Sequence, residues 1–180
     1  MNIVLIGYRC SGKTTVGRLL AERTGKDFRD TDIMVEEATG TSIEDLVSTG
    51  GWKPFRALEK QAVRAVSAQD DLVIAVGGGA VLDEENVRNL VKGAFVVWLD
   101  GAPEVLRERL EGEQRSGKIR PSLTGEDPLT EIRQVLQTRR PVYEKVSFLR
   151  VDTSVLGPAE TATVIIKTLQ EKREKRIHGR

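Results

Sequence analysis

Almost unbroken apolar runs at residues 3–6, 72–76 and 94–99 are bounded by turn residues and separated by longer stretches in which apolar side chains recur every three or four positions. Short runs of this kind predict strands, and the longer periodic stretches predict helices. More polar pieces at 27–29 and 148–151 bring the predicted strands to five. Helices are predicted over 12–23, 32–38, 42–48, 54–67, 84–91, 103–111, 129–146 and 159–175. Regular alternation of strand and helix predicts a parallel α/β sheet, and strands without polar alternation predict helices on both of its faces. The fold class is therefore α/β, three layers α/β/α around a five-stranded parallel sheet. In the 54–67 helix, Phe55, Leu58, Ala62, Ala65 and Val66 fall on one stripe, with Pro54 suited to the first turn.

The longest interval without a period is 112–128, punctuated by Gly112, Gly117 and Gly125. A loop of that length in a compact chain is usually functional, and a lid is the expectation. Residues 172–180 carry five Lys or Arg against one Glu and predict a solvated basic helix end. A chain of 180 residues needs only one domain, spanning 1–180. With 28 basic and 27 acidic side chains, the net charge of +1 offers no global field for nucleic acid or an anionic membrane. Neither is expected as a partner, so any anion site must be local. A single cysteine, Cys10, and a single histidine exclude an internal disulfide and a zinc-ligand set. The N-terminus has no basic, then apolar, leader pattern, and a cytoplasmic location is expected.

Directly after the first predicted strand, Gly7-Tyr8-Arg9-Cys10-Ser11-Gly12-Lys13-Thr14 fits G-x-x-x-x-G-K-[ST], and Val16, Leu19 and Leu20 begin a helical period behind it. Glycines let successive backbone N–H groups turn inward around a polyphosphate, and the helix N-terminus adds its dipole. Lys13 supplies a positive charge to the β- and γ-phosphates, and the Thr14 hydroxyl suits Mg²⁺. Residues Gly7, Tyr8, Arg9, Cys10, Ser11, Gly12, Lys13, Thr14 and Thr15 are expected to bind ATP, with Mg²⁺ as the cofactor.

Other residues must say what else binds. Asp30-Thr31-Asp32 ends the second strand, at the edge where open α/β sheets hold ligands. One acid would face a metal and its waters and the other an incoming hydroxyl; equally, Thr31 or Asp32 would cap the next helix. Gly77-Gly78-Gly79 follows the third strand and lets a ligand rest on bare backbone. Arg56, supported by Glu59 one turn on, and Arg139-Arg140 are candidates for clamping a carboxylate.

The set GYRCSGKTT, DTD at 30–32, TGTSIEDL at 39–46, FRALE at 55–59, GGGAV at 77–81, RPSL at 120–123 and RRPVY at 139–143 resembles the shikimate kinases, in order, over roughly residues 3–153. The resemblance implies a nucleoside-monophosphate-kinase-like P-loop fold and transfer of the γ-phosphate of ATP to the 3-hydroxyl of shikimate, in aromatic amino-acid biosynthesis. It implies Lys13 and Thr14 at the phosphates and Mg²⁺, Asp30 at the metal's water shell, and Asp32 at the ring hydroxyls as proton acceptor. It implies Arg56, Arg139 and the backbone of Gly77, Gly78 and Gly79 at the substrate. Arg120 is implied as the lid arginine that meets the transferring phosphate, and Arg109 as the arginine against adenine, with Arg115 its alternative. Partners would be small molecules only, ATP and shikimate, and the enzyme a monomer.

Three positions and the length of one stretch depart from the family's pattern. Trp52 stands where a Glu is usual, Cys10 where a glycine is usual and Ser122 where a leucine is usual, and the stretch from Arg109 to Arg120 is about four residues longer. From the residues alone, a gluconate or nucleotide kinase, or a nucleotide-dependent switch without a kinase reaction, are the alternatives.

Overall fold

The structure is a computed structural model that describes residues 1–117 and 121–178, with side chains in the last helix described as far as residue 175. The chain runs β1 (Ile3–Ile6), α1 (Lys13–Thr24), β2 (Asp27–Asp30), α2 (Thr31–Thr39), α3 (Ile43–Gly50), α4 (Trp52–Ser67), β3 (Leu72–Ala75), a 3-10 turn (Ala80–Leu82), α5 (Glu84–Val91), β4 (Phe95–Asp100), α6 (Pro103–Arg115), α7 (Pro128–Val146), β5 (Leu149–Asp152) and α8 (Pro158–His178). The five strands form one parallel sheet in the order β2-β3-β1-β4-β5.

Burial follows the strand composition. The three central strands β3, β1 and β4 are buried along their whole length, whereas the edge strands β2 and β5 alternate with exposed charged residues. Successive side chains point to opposite faces, and each face has its own core. Ile3, Leu5, Val73, Val97 and Leu99 pack on α1 and α8 through Val16, Leu20, Ile165 and Leu169. Val4, Ile6, Ile74, Val96 and Trp98 pack on α4, α5 and α7 through Val63, Val66, Leu90 and Tyr143. A smaller cluster of Val35, Phe55 and Ala62, with Met34, Ile43, Leu46 and Trp52 against it, joins α2, α3 and α4 into a flap beside the sheet.

Three expectations are corrected. Helix α4 starts at Trp52, two residues before Pro54, because Gly51 at φ +76° ends α3 and turns the chain directly into α4. Its buried stripe takes in Glu59 and Val63 and leaves Ala65 exposed. The expected loop at 112–128 is helical over its first four residues: Gly112 is tolerated in α6 because the Glu, Gln and Arg around it favour helix. The Ser116 N–H then closes the helix on the carbonyls of Gly112, Glu113 and Gln114. Arg120 lies outside the described residues. No helix among the described residues is long and apolar enough to cross a membrane.

Candidate active site

Parallel strands deliver their C-terminal ends to one edge, so the segments after β1, β2 and β3 meet there. Between them and the α2–α4 flap lies a crevice of about 530 Å³. Its walls bring together Arg9, Cys10, Gly12, Lys13, Thr14 and Thr15 from the phosphate loop with Asp30, Asp32, Arg56, Gly77, Gly78, Gly79 and Arg139. Those residues span 130 positions of sequence between Arg9 and Arg139.

Gly12, at φ +90°, is the N-cap of α1, so Lys13 is the first helical residue. Lys13 Nζ reaches back over the loop and donates to the carbonyls of Gly7 (3.0 Å) and Tyr8 (2.7 Å). Cys10 sits at φ +60°, the left-handed conformation that costs a side-chain-bearing residue roughly 1–2 kcal/mol, which is why a glycine suits this position. Tyr8 enters the loop only by its backbone. Its ring is buried with Leu106, Ile132, Val135 and Leu136. Ser11 is fully buried under the loop. The Arg9 side chain turns away from the loop to Glu131 and to the Pro121 carbonyl.

At the end of β2, Asp30 does two jobs. Its Oδ1 accepts from the Asp32 N–H (3.0 Å) and so caps α2, and its Oδ2 accepts from Thr14 Oγ1 at 2.8 Å. The cap is thus Asp30 rather than Thr31 or Asp32, which releases the Asp32 side chain toward the glycines. Thr31 is fully buried and its Oγ1 accepts from the Gly77 N–H, bolting the ends of β2 and β3 together.

The three glycines are required for space rather than for backbone torsion, since none of them lies at positive φ. A Cβ on Gly77 would stand 2.7 Å from Asp32 Oδ1 and press on Glu59 Oε1. One on Gly78 would stand 3.1 Å from the Gly7 carbonyl, and one on Gly79 2.7 Å from the Cζ of Arg56. Backbone and charged side chains are therefore in direct contact along this wall. Tyr143 Oη donates to the Gly78 carbonyl at 2.5 Å from below. Burial pushes the Tyr143 phenol up to about 12, so it remains a donor at every physiological pH.

Arg56 is held on two sides. Its Nη1 donates to Glu59 Oε2 at 2.6 Å, and its guanidinium stands 5.2 Å from the ring centres of both Trp52 and Phe55. The support expected from a Glu at position 52 comes instead from aromatic faces, which attract a guanidinium through their π density. Of the arginine pair on α7, Arg139 is buried against Gly78, while Arg140 projects on another side of the helix to Asp100 and the Gly101 carbonyl. Arg140 is thereby removed from the expected clamp, because adjacent helical residues point about 100° apart.

Glu59, 1% exposed, carries a pKa raised above the ordinary 4.5, chiefly by burial. The Arg56 ion pair and Arg139 oppose the shift, and the charge of Asp32 adds to it. A carboxyl held more strongly protonated when folded stabilises the fold fully below about pH 4.5 and loses that contribution as pH rises through the folded value. The stability of the wild type minus that of Glu59→Gln is therefore expected to fall as pH rises from below 4.5. Chemical denaturation at a series of pH values checks this; a constant difference would contradict it.

The two arginines expected near adenine both lie on α6. Arg109 lies outside the crevice wall and donates to the Thr153 carbonyl (2.5 Å), to Thr153 Oγ1 (3.1 Å) and to the Cys10 carbonyl (3.4 Å), tying α6 to the end of β5 and to the phosphate loop. Arg115 is turned onto its own helix, donating to the Glu111 carbonyl. Sequence reasoning weighed Thr31 only as a helix cap and passed over Tyr143 and Glu131. The first two belong to quoted motifs, and nothing local marks the third.

Comparison with known proteins agrees with this geometry. Residues 9–170 match the family model described as shikimate kinase. A shikimate kinase from Symbiobacterium thermophilum is 43% identical, covering 97% of this chain and 99% of the relative, and one from Thermodesulfovibrio yellowstonii is 41% identical, covering 92% and 93%. The structure of a shikimate kinase from Acinetobacter baumannii in complex with shikimate superimposes with a TM-score of 0.88 at 32% identity, covering 95% of this chain and 93% of that one. With its five-stranded P-loop sheet and its acids, glycines and arginines gathered at one edge, the chain belongs to the shikimate kinase family.

Proposed function

We propose that the crevice transfers the γ-phosphate of ATP to the 3-hydroxyl of shikimate, with the chain's own residues acting as follows. The observation that carries the reading is the convergence of Lys13, Asp32, Arg56, Gly77–79 and Arg139 on a single crevice. The phosphate-loop N–H groups and Lys13 hold the polyphosphate. Arg56 and Arg139 bind the acceptor carboxylate, and Asp32 and the glycine backbone orient its hydroxyls. The acceptor oxygen attacks phosphorus in line, the bond to the β-phosphate oxygen breaks, and Asp32 accepts the hydroxyl proton. Arg120, next in sequence to the crevice-lining Pro121, adds positive charge at the moving phosphoryl group. Arg109 flanks the adenine.

Among the described residues no cluster of three or more His, Cys, Asp or Glu could hold a metal unaided. The contact between Thr14 Oγ1 and Asp30 Oδ2 nevertheless offers the hard oxygen donors that suit Mg²⁺, which commonly takes one or two protein groups and completes its shell with phosphates and water. These two residues fit the ion, which when bound neutralises charge on the β- and γ-phosphates.

The lone cysteine, which cannot form an internal disulfide, supports a cytoplasmic enzyme. Among the described residues, the exposed large apolar side chains Leu82, Val91, Phe148, Val155 and Val164 are scattered singly along the chain, which supports a monomer. A coupled assay of ADP release with shikimate, gluconate, a nucleoside monophosphate or no acceptor tests the reading. Release should depend on shikimate. Equal release without acceptor, or with gluconate, would overturn it.

A further inference from the structure

The phosphate loop carries a buried ion pair for which nucleotide binding has no evident use. Arg9 spends its whole guanidinium within the protein: Nε donates to Tyr8 Oη (3.2 Å), Nη1 to the Pro121 carbonyl (2.7 Å) and Nη2 to Glu131 Oε1. The other oxygen of Glu131 accepts from Ser122 Oγ and from the N–H groups of Leu123 (2.7 Å) and Thr124 (3.0 Å). Both side chains are nearly closed to water, at 11% and 4% exposure. One carboxylate near the start of α7 thus joins three stretches of chain: the phosphate loop, residues 121–124 and α7 itself, which two turns later presents Arg139 to the crevice.

Stability is a weak reason for such a pair, since desolvating two charges offsets most of their attraction, and apolar residues of similar volume often do as well. Geometry is a stronger one. Pro121 and Leu123 line the crevice, and their position relative to the phosphate loop is set by bonds that run through Arg9 and Glu131. Ser122, where the family pattern has leucine, adds a hydroxyl to the same carboxylate.

We propose that Arg9 and Glu131 are positioning residues for phosphoryl transfer: through this pair, residues 121–124 are anchored to the phosphate loop, and the crevice wall is registered against the reacting phosphate. In-line transfer is sensitive to such registration, and a displacement of about 1 Å can cost on the order of 100-fold in rate. The proposal rests on the kinase reading of the crevice.

The test uses the full chain as wild type, Glu131→Met, the double variant Arg9→Met with Glu131→Met, and Glu131→Gln. Thermal midpoint and steady-state kinetics are measured with ATP and shikimate each varied. Glu131→Met, which strands a buried cation, should lose both stability and turnover. The double variant should regain the midpoint yet keep a kcat at least about 10-fold below wild type, with the shikimate KM within about twofold. Recovery of kcat together with the midpoint would overturn the proposal, because the pair would then be structural only. If the double variant does not fold, Glu131→Gln, which keeps the volume and one acceptor oxygen, should lower kcat without moving the shikimate KM. An unchanged kcat, or a loss confined to KM, would overturn the proposal. A wild type without shikimate-dependent ADP release would overturn the kinase reading and this proposal together, an outcome distinct from an active wild type with unaffected variants.

Discussion

Lys13→Ala is expected to lower kcat by at least about 1,000-fold while leaving the fold intact. One preorganised donor at developing charge is commonly worth about 100- to 1,000-fold, and a cation delivered to a transferring phosphoryl group about 1,000- to 100,000-fold. Lys13 has the second role. It opens α1, and its Nζ lies between the carbonyls of Gly7 and Tyr8, at the centre of the loop that would wrap the phosphates. Neither carbonyl belongs to a core contact that alanine would break, and Lys13 itself is only half-buried. The coupled ADP assay gives kcat, and a thermal melt reports the fold. A variant turning over within tenfold of wild type would remove Lys13 from the chemistry.

Arg56→Ala is expected to weaken shikimate binding about 100-fold, by roughly 2–3 kcal/mol, with ATP binding within about twofold of wild type. The guanidinium lies between Glu59 and the rings of Trp52 and Phe55, on the flap side of the crevice away from Lys13. Its removal also leaves Glu59 a buried carboxylate without its ion-pair partner, and part of the affinity loss reflects rearrangement of that acid. Asp32→Asn, at a carboxyl that stands against Gly77 together with Glu59, should share the same selectivity. Calorimetric titration with shikimate and with an unreactive ATP analogue separates the two sites. An equal loss for both ligands would mean that Arg56 supports the crevice as a whole and not the acceptor.

Much of this arrangement is legible in the amino-acid order because short-range physics decides it. The central strands are buried on both faces and so read as apolar runs. The phosphate loop is a contiguous motif, and Arg56 with Glu59 is a one-turn pair on a helix. The helix boundaries that moved did so for local reasons that compete with the pattern, Gly51 at the start of α4 and the helix-favouring residues around Gly112 in α6. What could not be read were bonds between distant segments. Glu131 looks like any first-turn acid of α7, and only folding brings it to Arg9, 122 positions away in sequence. Arg139 and Arg140 are indistinguishable as neighbours until the helix phase turns one to Gly78 and the other to Asp100. Adjacent motif letters likewise hid the division of labour at the end of β2, where Asp30 caps α2, Thr31 holds Gly77 and Asp32 faces the crevice.

The wall formed by residues 77–79 has a consequence for anyone wishing to retarget the enzyme to a different acceptor. That surface is main chain in contact with charged groups, so it offers no side chain to exchange, and adding even a methyl group would press on Asp32 and Glu59 at Gly77, on the Gly7 carbonyl at Gly78 or on Arg56 at Gly79. New acceptor preferences must therefore be engineered from the flap, where half-buried Trp52 lines the crevice with a side chain that can be exchanged while Phe55 keeps its place beside Arg56.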